Sequence, residues 1–188
     1  DEALVQALST QLSSTPADQV VVLHQLGNHG PSYYQRYPPA YERFVPACEN
    51  ADLAKCTREA ITNSYDNAIL YTDNVLDQVI DTLEREHDYA TAMVYLSDHG
   101  ESLGEKGLYL HGIPYAIAPN EQTHVPMIWW LSTSFSQQQR LDTECLHRRA
   151  NQAASHDNLF HSVLGLLGVV TDVYQQEADI SQACRFDN

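Results

Sequence analysis

The apolar run Thr91-Ala92-Met93-Val94-Tyr95-Leu96 breaks off into Ser97-Asp98-His99-Gly100-Glu101-Ser102-Leu103-Gly104-Glu105, and this join constrains the chain more than any other feature. The run reads as a buried strand. Inside a regular strand, neighbouring Asp and His side chains would point to opposite faces. Just past the strand end, where Gly100 loosens the backbone, Asp98 and His99 can turn toward one point. A hard oxygen beside a borderline nitrogen is a donor pair that suits zinc. In open α/β sheets the carboxyl ends of the strands are where ligands gather. A lone Asp-His pair is also an ordinary turn cap beside a packed imidazole, so the rest of the chain has to decide.

The order of elements reads helix, strand, loop, helix, strand, loop, strand, loop, helix. Leu4, Val5, Leu8 and Leu12 share one side of a first helix that ends near Ser13-Ser14, before Pro16. Val20-Val21-Val22-Leu23 is a β-branched run that predicts a second buried strand. Residues 33–46 are rich in Tyr and Pro, irregular but packed on the body. Ile61, Tyr65, Ile69, Tyr71, Val75, Leu76, Val79, Ile80 and Leu83 recur at helical steps, with Asp73, Asp77, Asp81 and Glu84 opposite as a solvated face. After the 91–96 strand comes a loop over 97–123, then the apolar stretch 125–131, a third strand. A last helix opens at Ser155 or Asp157 and stops at Gly168. Strands alternating with helices predict an α/β fold, a mostly parallel sheet with helices on both faces.

Composition narrows the function classes. The 188 residues suffice for one domain with a sizeable core. With 25 acidic and 10 basic residues the net charge is −15, the wrong sign for gripping phosphate backbones over a broad surface, so no nucleic-acid partner is expected. No apolar run approaches the roughly 18 residues that cross a bilayer. Asp1-Glu2 enters a helix at once, without an initiator Met, which reads as a piece excised from a longer protein. Cys48 and Cys56 bracket a polar loop of a length that a disulfide closes easily. Cys145 and Cys184 lie in late, irregular segments, where Cys184 would tie down the tail. An even count without a Cys-x-x-Cys pair argues against zinc fingers and thioredoxin chemistry. Two disulfides would imply an oxidising compartment such as the periplasm, four free thiols a reducing one.

Three further histidines stand where strand exits would bring them toward Asp98 and His99. His24 and His29 flank the end of the 20–23 run, and His111 follows in Tyr109-Leu110-His111-Gly112. His24 sits among apolar neighbours and reads foremost as a packed or hydrogen-bonding residue. His29 and His111 abut glycines in loops, where no packing reason is evident. His87, His124, His147, His156 and His161 lack that setting and read as structural or surface residues.

Ser97 to Glu105 followed by Tyr-Leu-His-Gly resembles the metal-binding segment of the alkaline phosphatase and sulfatase superfamily. The stretch from Leu23 to Pro31, Tyr37-Pro38-Pro39, Tyr65-Asp66-Asn67-Ala68 and Ser155 to Phe160 sharpen it. Together they are similar to the soluble domain of lipid A phosphoethanolamine transferases of the colistin-resistance type. The resemblance implies transfer of phosphoethanolamine from phosphatidylethanolamine to lipid A, at the periplasmic face of the bacterial inner membrane. It implies one zinc ion, or two, with Asp98 and His99 as ligands. His29 and His111 would be catalytic, binding the phosphoethanolamine group or a second zinc. Glu101 would be an acid near the ligands, and His24 a further uncertain neighbour. The Cys48–Cys56 pair matches a family disulfide.

The family's Thr nucleophile and a further Glu ligand precede the region matched here. Thr10, Thr15 and Thr123 stand in no comparable context. The family's membrane helices, which would anchor the protein to the inner membrane, are also not in this sequence. Residues 1–188 therefore read as the C-terminal part of a single catalytic domain, carrying half of the zinc site and inactive alone. Two other classes stay open. One is a periplasmic metal-dependent phosphatase or sulfatase, with water as acceptor. The other is a metal-binding module without chemistry, which the missing nucleophile favours.

Overall fold

The structure, a computed structural model, describes residues 1–14 and 17–186. Thr15 and Pro16 lie outside the described residues, while the first helix ends at Ser14, as the sequence predicts. The chain forms two compact units, residues 1–85 with 95–127 and residues 86–94 with 128–188.

In the first unit, helix α1 (Glu2–Ser14) buries Leu8 and Leu12. Helix α2 (Arg58–Glu84) starts at Thr57, whose hydroxyl accepts a hydrogen bond from the Ala60 N–H at 3.2 Å and so satisfies a free first-turn donor. One face of α2 buries Ile61, Ala68, Tyr71, Val75, Leu76, Val79 and Leu83, while Asp73, Asp77, Asp81 and Glu84 stay exposed as the periodicity requires. Ile69, expected on the apolar stripe, faces solvent. Asn67 is fully buried, and its Oδ1 accepts from the N–H groups of Arg43 and Phe44 at 2.7 and 2.9 Å. Its Nδ2 donates to the Phe44 carbonyl at 3.0 Å. One side chain thus satisfies an irregular backbone stretch and pins the Tyr- and Pro-rich segment to α2. Tyr37, Tyr41 and Tyr71 pack there, and Tyr33 packs with Cys48, Ala60 and Ile61.

Strand β1 (Ala92–Leu96) pairs with β4 (Met127–Leu131), and β2 (Ser102–Leu103) pairs antiparallel with β3 (Tyr109–Leu110). Ser97 N–H donates to the Pro126 carbonyl at 3.3 Å and Ser132 N–H to the Thr91 carbonyl at 3.0 Å, so each strand starts beside the other's end. The mostly parallel sheet expected from the sequence is therefore corrected: the pairs are antiparallel. A parallel pair needs a crossover, usually an α-helix, and between β1 and β4 lie only loop, hairpin and the four-residue α3 (Asn120–Thr123). The run 20–23 is also corrected, because it joins no ladder and leaves Val22 85% exposed. A β-branched run becomes a strand by pairing with another, and among the described residues no strand pairs with it; it lies instead beside Leu4, Ala7 and Leu8 of the first helix. The run 91–96 is a strand but half-buried.

In the second unit, α4 (Thr133–Gln138) and α5 (Thr143–Arg149) are short polar helices that apolar periodicity could not reveal. Each rests on a capping oxygen, Ser132 Oγ accepting from Phe135 N at 3.2 Å and Asp142 Oδ1 from Cys145 N at 3.0 Å. Cys145 is consequently helical, not irregular. Helix α6 (Asp157–Leu166) begins at Asp157, whose N–H donates to Ser155 Oγ at 3.2 Å, while the capping position itself is His156. Both disulfides, Cys48–Cys56 and Cys145–Cys184, are formed.

The hairpin is clipped to α2. Glu105 Oε1 accepts from Arg58 at 2.7 Å, and its Oε2 accepts from the Leu103 N–H at 2.6 Å. Burial pushes the Glu105 carboxyl up, but backbone hydrogen bonds and Arg58 more than offset this and hold it below its ordinary 4.5. A depressed folded-state value means stability that is present above the unfolded-state value and fades as the pH falls through the folded one. Glu105→Gln should cost up to about 1 kcal/mol at neutral pH and nothing near pH 2, read from urea midpoints at both. The disulfides close sequence separations of 8 and 39 residues. Chain-entropy loss then gives Cys145→Ser/Cys184→Ser a cost of roughly 4 kcal/mol against roughly 2.5 for Cys48→Ser/Cys56→Ser, again read from urea midpoints.

Candidate functional site

Three histidines from three separate turns converge in the first unit. One ring nitrogen each from His29, His99 and His111 lies within 4.8 Å of the other two. The rings of His99 and His111 are stacked with centroids 3.9 Å apart, and His29 meets the pair edge-on at 5.6 and 4.8 Å.

Each ring is aimed by its own loop. His29 lies in the turn 26–30, where its N–H donates to the Leu26 carbonyl at 3.3 Å and its carbonyl accepts from Arg36 Nε at 2.7 Å. The next residue has to be glycine, since a Cβ at Gly30 would stand 2.7 Å from the Tyr33 hydroxyl. His99 follows β1, and Ser97 Oγ donates to its carbonyl at 2.8 Å. There the backbone of Gly100 runs so close to Glu121 that a Cβ would overlap the Glu121 carbonyl, while Gly100 N–H donates to the Gln122 carbonyl at 3.0 Å. His111 follows β3 after Leu110, which holds the left-handed φ of +63° that non-glycine residues seldom adopt.

Glu101 binds these loops together. Its side chain is 3% exposed. Oε1 accepts from the Gly30 N–H at 3.1 Å and from His111 Nδ1 at 3.0 Å, and Oε2 accepts from the Tyr33 hydroxyl at 2.6 Å. Burial, and then the Glu101 carboxylate itself, push the Tyr33 hydroxyl well above its ordinary range, so it donates and does not ionise.

The same contacts set the tautomers. His29 Nδ1 meets the Gly30 carbonyl at 2.8 Å, and His99 Nδ1 meets the Gly100 carbonyl at 3.0 Å. A carbonyl only accepts, so Nδ1 carries the hydrogen in both, and the Glu101 carboxylate imposes the same on His111. Nε2 of each neutral ring keeps its lone pair, which is how protein partners prepare imidazoles as metal ligands. Asp98 Oδ2 stands 3.8 Å from His99 Nε2 on an exposed side chain, close enough for the two to share a cation. Three imidazole nitrogens this close together suit a borderline metal ion such as zinc, while Asp98 lies outside that group and stands only beside His99.

His24, expected as an uncertain neighbour, is exposed and outside the histidine group. Thr10 and Thr123 spend their hydroxyls on the carbonyls of Gln6 and Pro119, at 3.0 and 3.4 Å. Tyr33 and Gln122 went unforeseen. Gln122 Nε2 donates to Ser102 Oγ at 2.9 Å and Oε1 accepts from the Ile113 N–H at 3.3 Å, bracing the loop beyond His111. Neither residue carries a local signal, because its role depends on partners distant in sequence.

The sulfatase family model matches residues 1–169. Phosphoethanolamine transferase EptA of Escherichia coli K12 is 48% identical over 187 residues, 98% of this chain and 34% of that protein. Phosphatidylethanolamine transferase Mcr-2 of Escherichia coli is 47% identical over 131 residues, 69% of this chain and 24% of that protein. Among solved structures, the integral membrane protein lipooligosaccharide phosphoethanolamine transferase A from Neisseria meningitidis superposes with a TM-score of 0.96 at 44% identity. That match covers 100% of this chain and 35% of that one. The chain thus spans about a third of the length of the curated relatives it matches.

The Glu101 network is testable on stability alone. Tyr33→Phe removes one donor to a buried carboxylate without opening a cavity, and should cost roughly 1.5–3 kcal/mol in urea unfolding with an unchanged m-value.

Proposed function

The chain belongs to the sulfatase family, and on that premise we propose that it forms the C-terminal part of the catalytic domain of a zinc-dependent phosphoethanolamine transferase. The donor is phosphatidylethanolamine and the acceptor is lipid A. The observation that carries the reading is the convergence of His29, His99 and His111, each with Nδ1 occupied by an acceptor.

Asp98 and His99 hold the zinc ion in this reading. When bound, zinc would draw charge from the phosphoryl oxygens and lower the pKa of an attacking hydroxyl. His29 and His111 lie against the phosphoethanolamine group in this reading, and once protonated at Nε2 they would neutralise its remaining oxygens and pass that proton to the leaving alkoxide. Glu101 holds His111 in the tautomer that leaves Nε2 free. A covalent route divides the transfer in two, the nucleophile first taking the phosphoryl group and the lipid phosphate then accepting it. This reading assigns the nucleophilic Thr and a further Glu ligand to parts of the intact protein outside these residues, which span 34% of the length of Escherichia coli EptA. Masking a lipid A phosphate with an ethanolamine cation weakens its attraction for cationic antibiotics, which yields resistance to polymyxins such as colistin.

Both disulfides favour an oxidising compartment, and the reading places the domain at the periplasmic face of the inner membrane. No helix among the described residues is long and apolar enough to cross a membrane. The intact protein would be anchored by helices outside this sequence.

Zinc titration by calorimetry tests the ligand assignment. The chain should bind zinc, and Asp98→Ala/His99→Ala should weaken binding at least tenfold. Equal affinities for the two proteins would remove Asp98 and His99 from the ligand set. In the intact enzyme, phosphoethanolamine should appear on lipid A, and its release into solution instead would select a hydrolase.

A further inference from the structure

We propose that the loop 113–119 docks on the surface of a phospholipid bilayer, Tyr115 and Ile117 entering the headgroup layer. This rests on the reading of the histidine cluster as a site for a phospholipid headgroup, and extends it to how the lipid is reached.

The loop runs Ile113-Pro114-Tyr115-Ala116-Ile117-Ala118-Pro119 directly after His111-Gly112. Tyr115 is 86% exposed and Ile117 75%, and Tyr109 on the same hairpin is also exposed. Between Lys106 and Glu121 there is no Asp, Glu, Lys or Arg, in a chain that is 19% charged. Scattered exposed apolar residues need no explanation, but an uncharged apolar loop beside a candidate site does. The loop is also prepared for contact. Tyr115–Ile117 form a single 3₁₀ turn between Pro114 and Pro119, closed by Ile117 N–H donating to the Pro114 carbonyl at 2.9 Å. Little conformational freedom is left to lose on binding.

Geometry selects the bilayer as occupant. The headgroup layer is only about 5–8 Å thick in each leaflet. A headgroup whose acyl chains stay in the membrane reaches the histidines only if the mouth of the site comes to that surface. Tyr115 is four residue steps from His111, a span of about 14 Å at most, so the loop arrives at the surface with the site. Tyr suits this depth, with an apolar ring and a polar tip. The net charge of −15 excludes electrostatic attraction to anionic lipid as the driving force, leaving apolar contact.

The test is co-sedimentation of the chain with phosphatidylcholine–phosphatidylethanolamine vesicles. Wild type should sediment equally at low and high salt, and less when phosphatidylglycerol is added. Tyr115→Ser/Ile117→Ser should lower the vesicle partition coefficient at least tenfold with unchanged melting. Val170→Ser/Val173→Ser, at exposed apolar positions of the other unit, should change it less than twofold. No sedimentation of wild type, equal sedimentation of the loop variant, or loss confined to the Val170/Val173 variant would each overturn the proposal. Zinc titration of the same proteins separates the two readings. A loop variant that loses vesicles but binds zinc normally leaves the histidine site standing, whereas loop-dependent sedimentation without zinc binding counts against the metal site alone.

Discussion

The buried carboxylate of Glu101 is the interaction on which the arrangement of the site depends. A carboxylate this deeply buried is costly unless its oxygens are occupied, and three donors occupy them: Gly30 N–H, the Tyr33 hydroxyl and His111 Nδ1. Those donors belong to three stretches of chain. Gly30 follows His29, Tyr33 is anchored in the core beneath α2, and His111 ends the β2–β3 hairpin. Satisfying one charge therefore holds two of the three clustered imidazoles in place and sets the tautomer of one. The arrangement is local and rigid, as a site that must present ring nitrogens within a few ångströms of one another requires.

Around that charge the backbone is brought unusually close. Gly30 faces the Tyr33 hydroxyl, Gly100 faces the backbone at Glu121, and Leu110 adopts a left-handed conformation just before His111. Each departure falls within one residue of a clustered histidine. Of the three only Leu110 carries a backbone cost, a φ that non-glycine residues seldom adopt, while the two glycines permit close approach. The clip from Glu105 to Arg58 and Leu103 extends the same economy to the hairpin, tying it to the long helix.

The strands show where local reading stops. The reading of Asp98 and His99 as a donor pair rests on an apolar run that ends in polar, ligand-type residues, and it needs only the strand's end, not its partners. The direction of pairing needed more. The 20–23 and 91–96 runs look alike in sequence, yet one is paired and the other exposed, because β structure is stabilised by what lies alongside. The short helices α4 and α5 escaped for the opposite reason: they are polar and held by single capping oxygens, so no apolar period marks them.

By itself the sequence determined the long helix and its acidic face, the end of β1, the ligand-type residues at each loop and the even set of cysteines. These are properties of residue type and spacing along one segment, and helical periodicity or a strand end is complete within that segment. Only the tertiary structure decided that His24 stays outside while His29, His99 and His111 meet. It likewise decided that Tyr33 donates to Glu101, and that β1 and β4 run antiparallel. Those outcomes rest on contacts between residues tens of positions apart, where burial and hydrogen-bond satisfaction are settled by the packed chain and not by any local stretch.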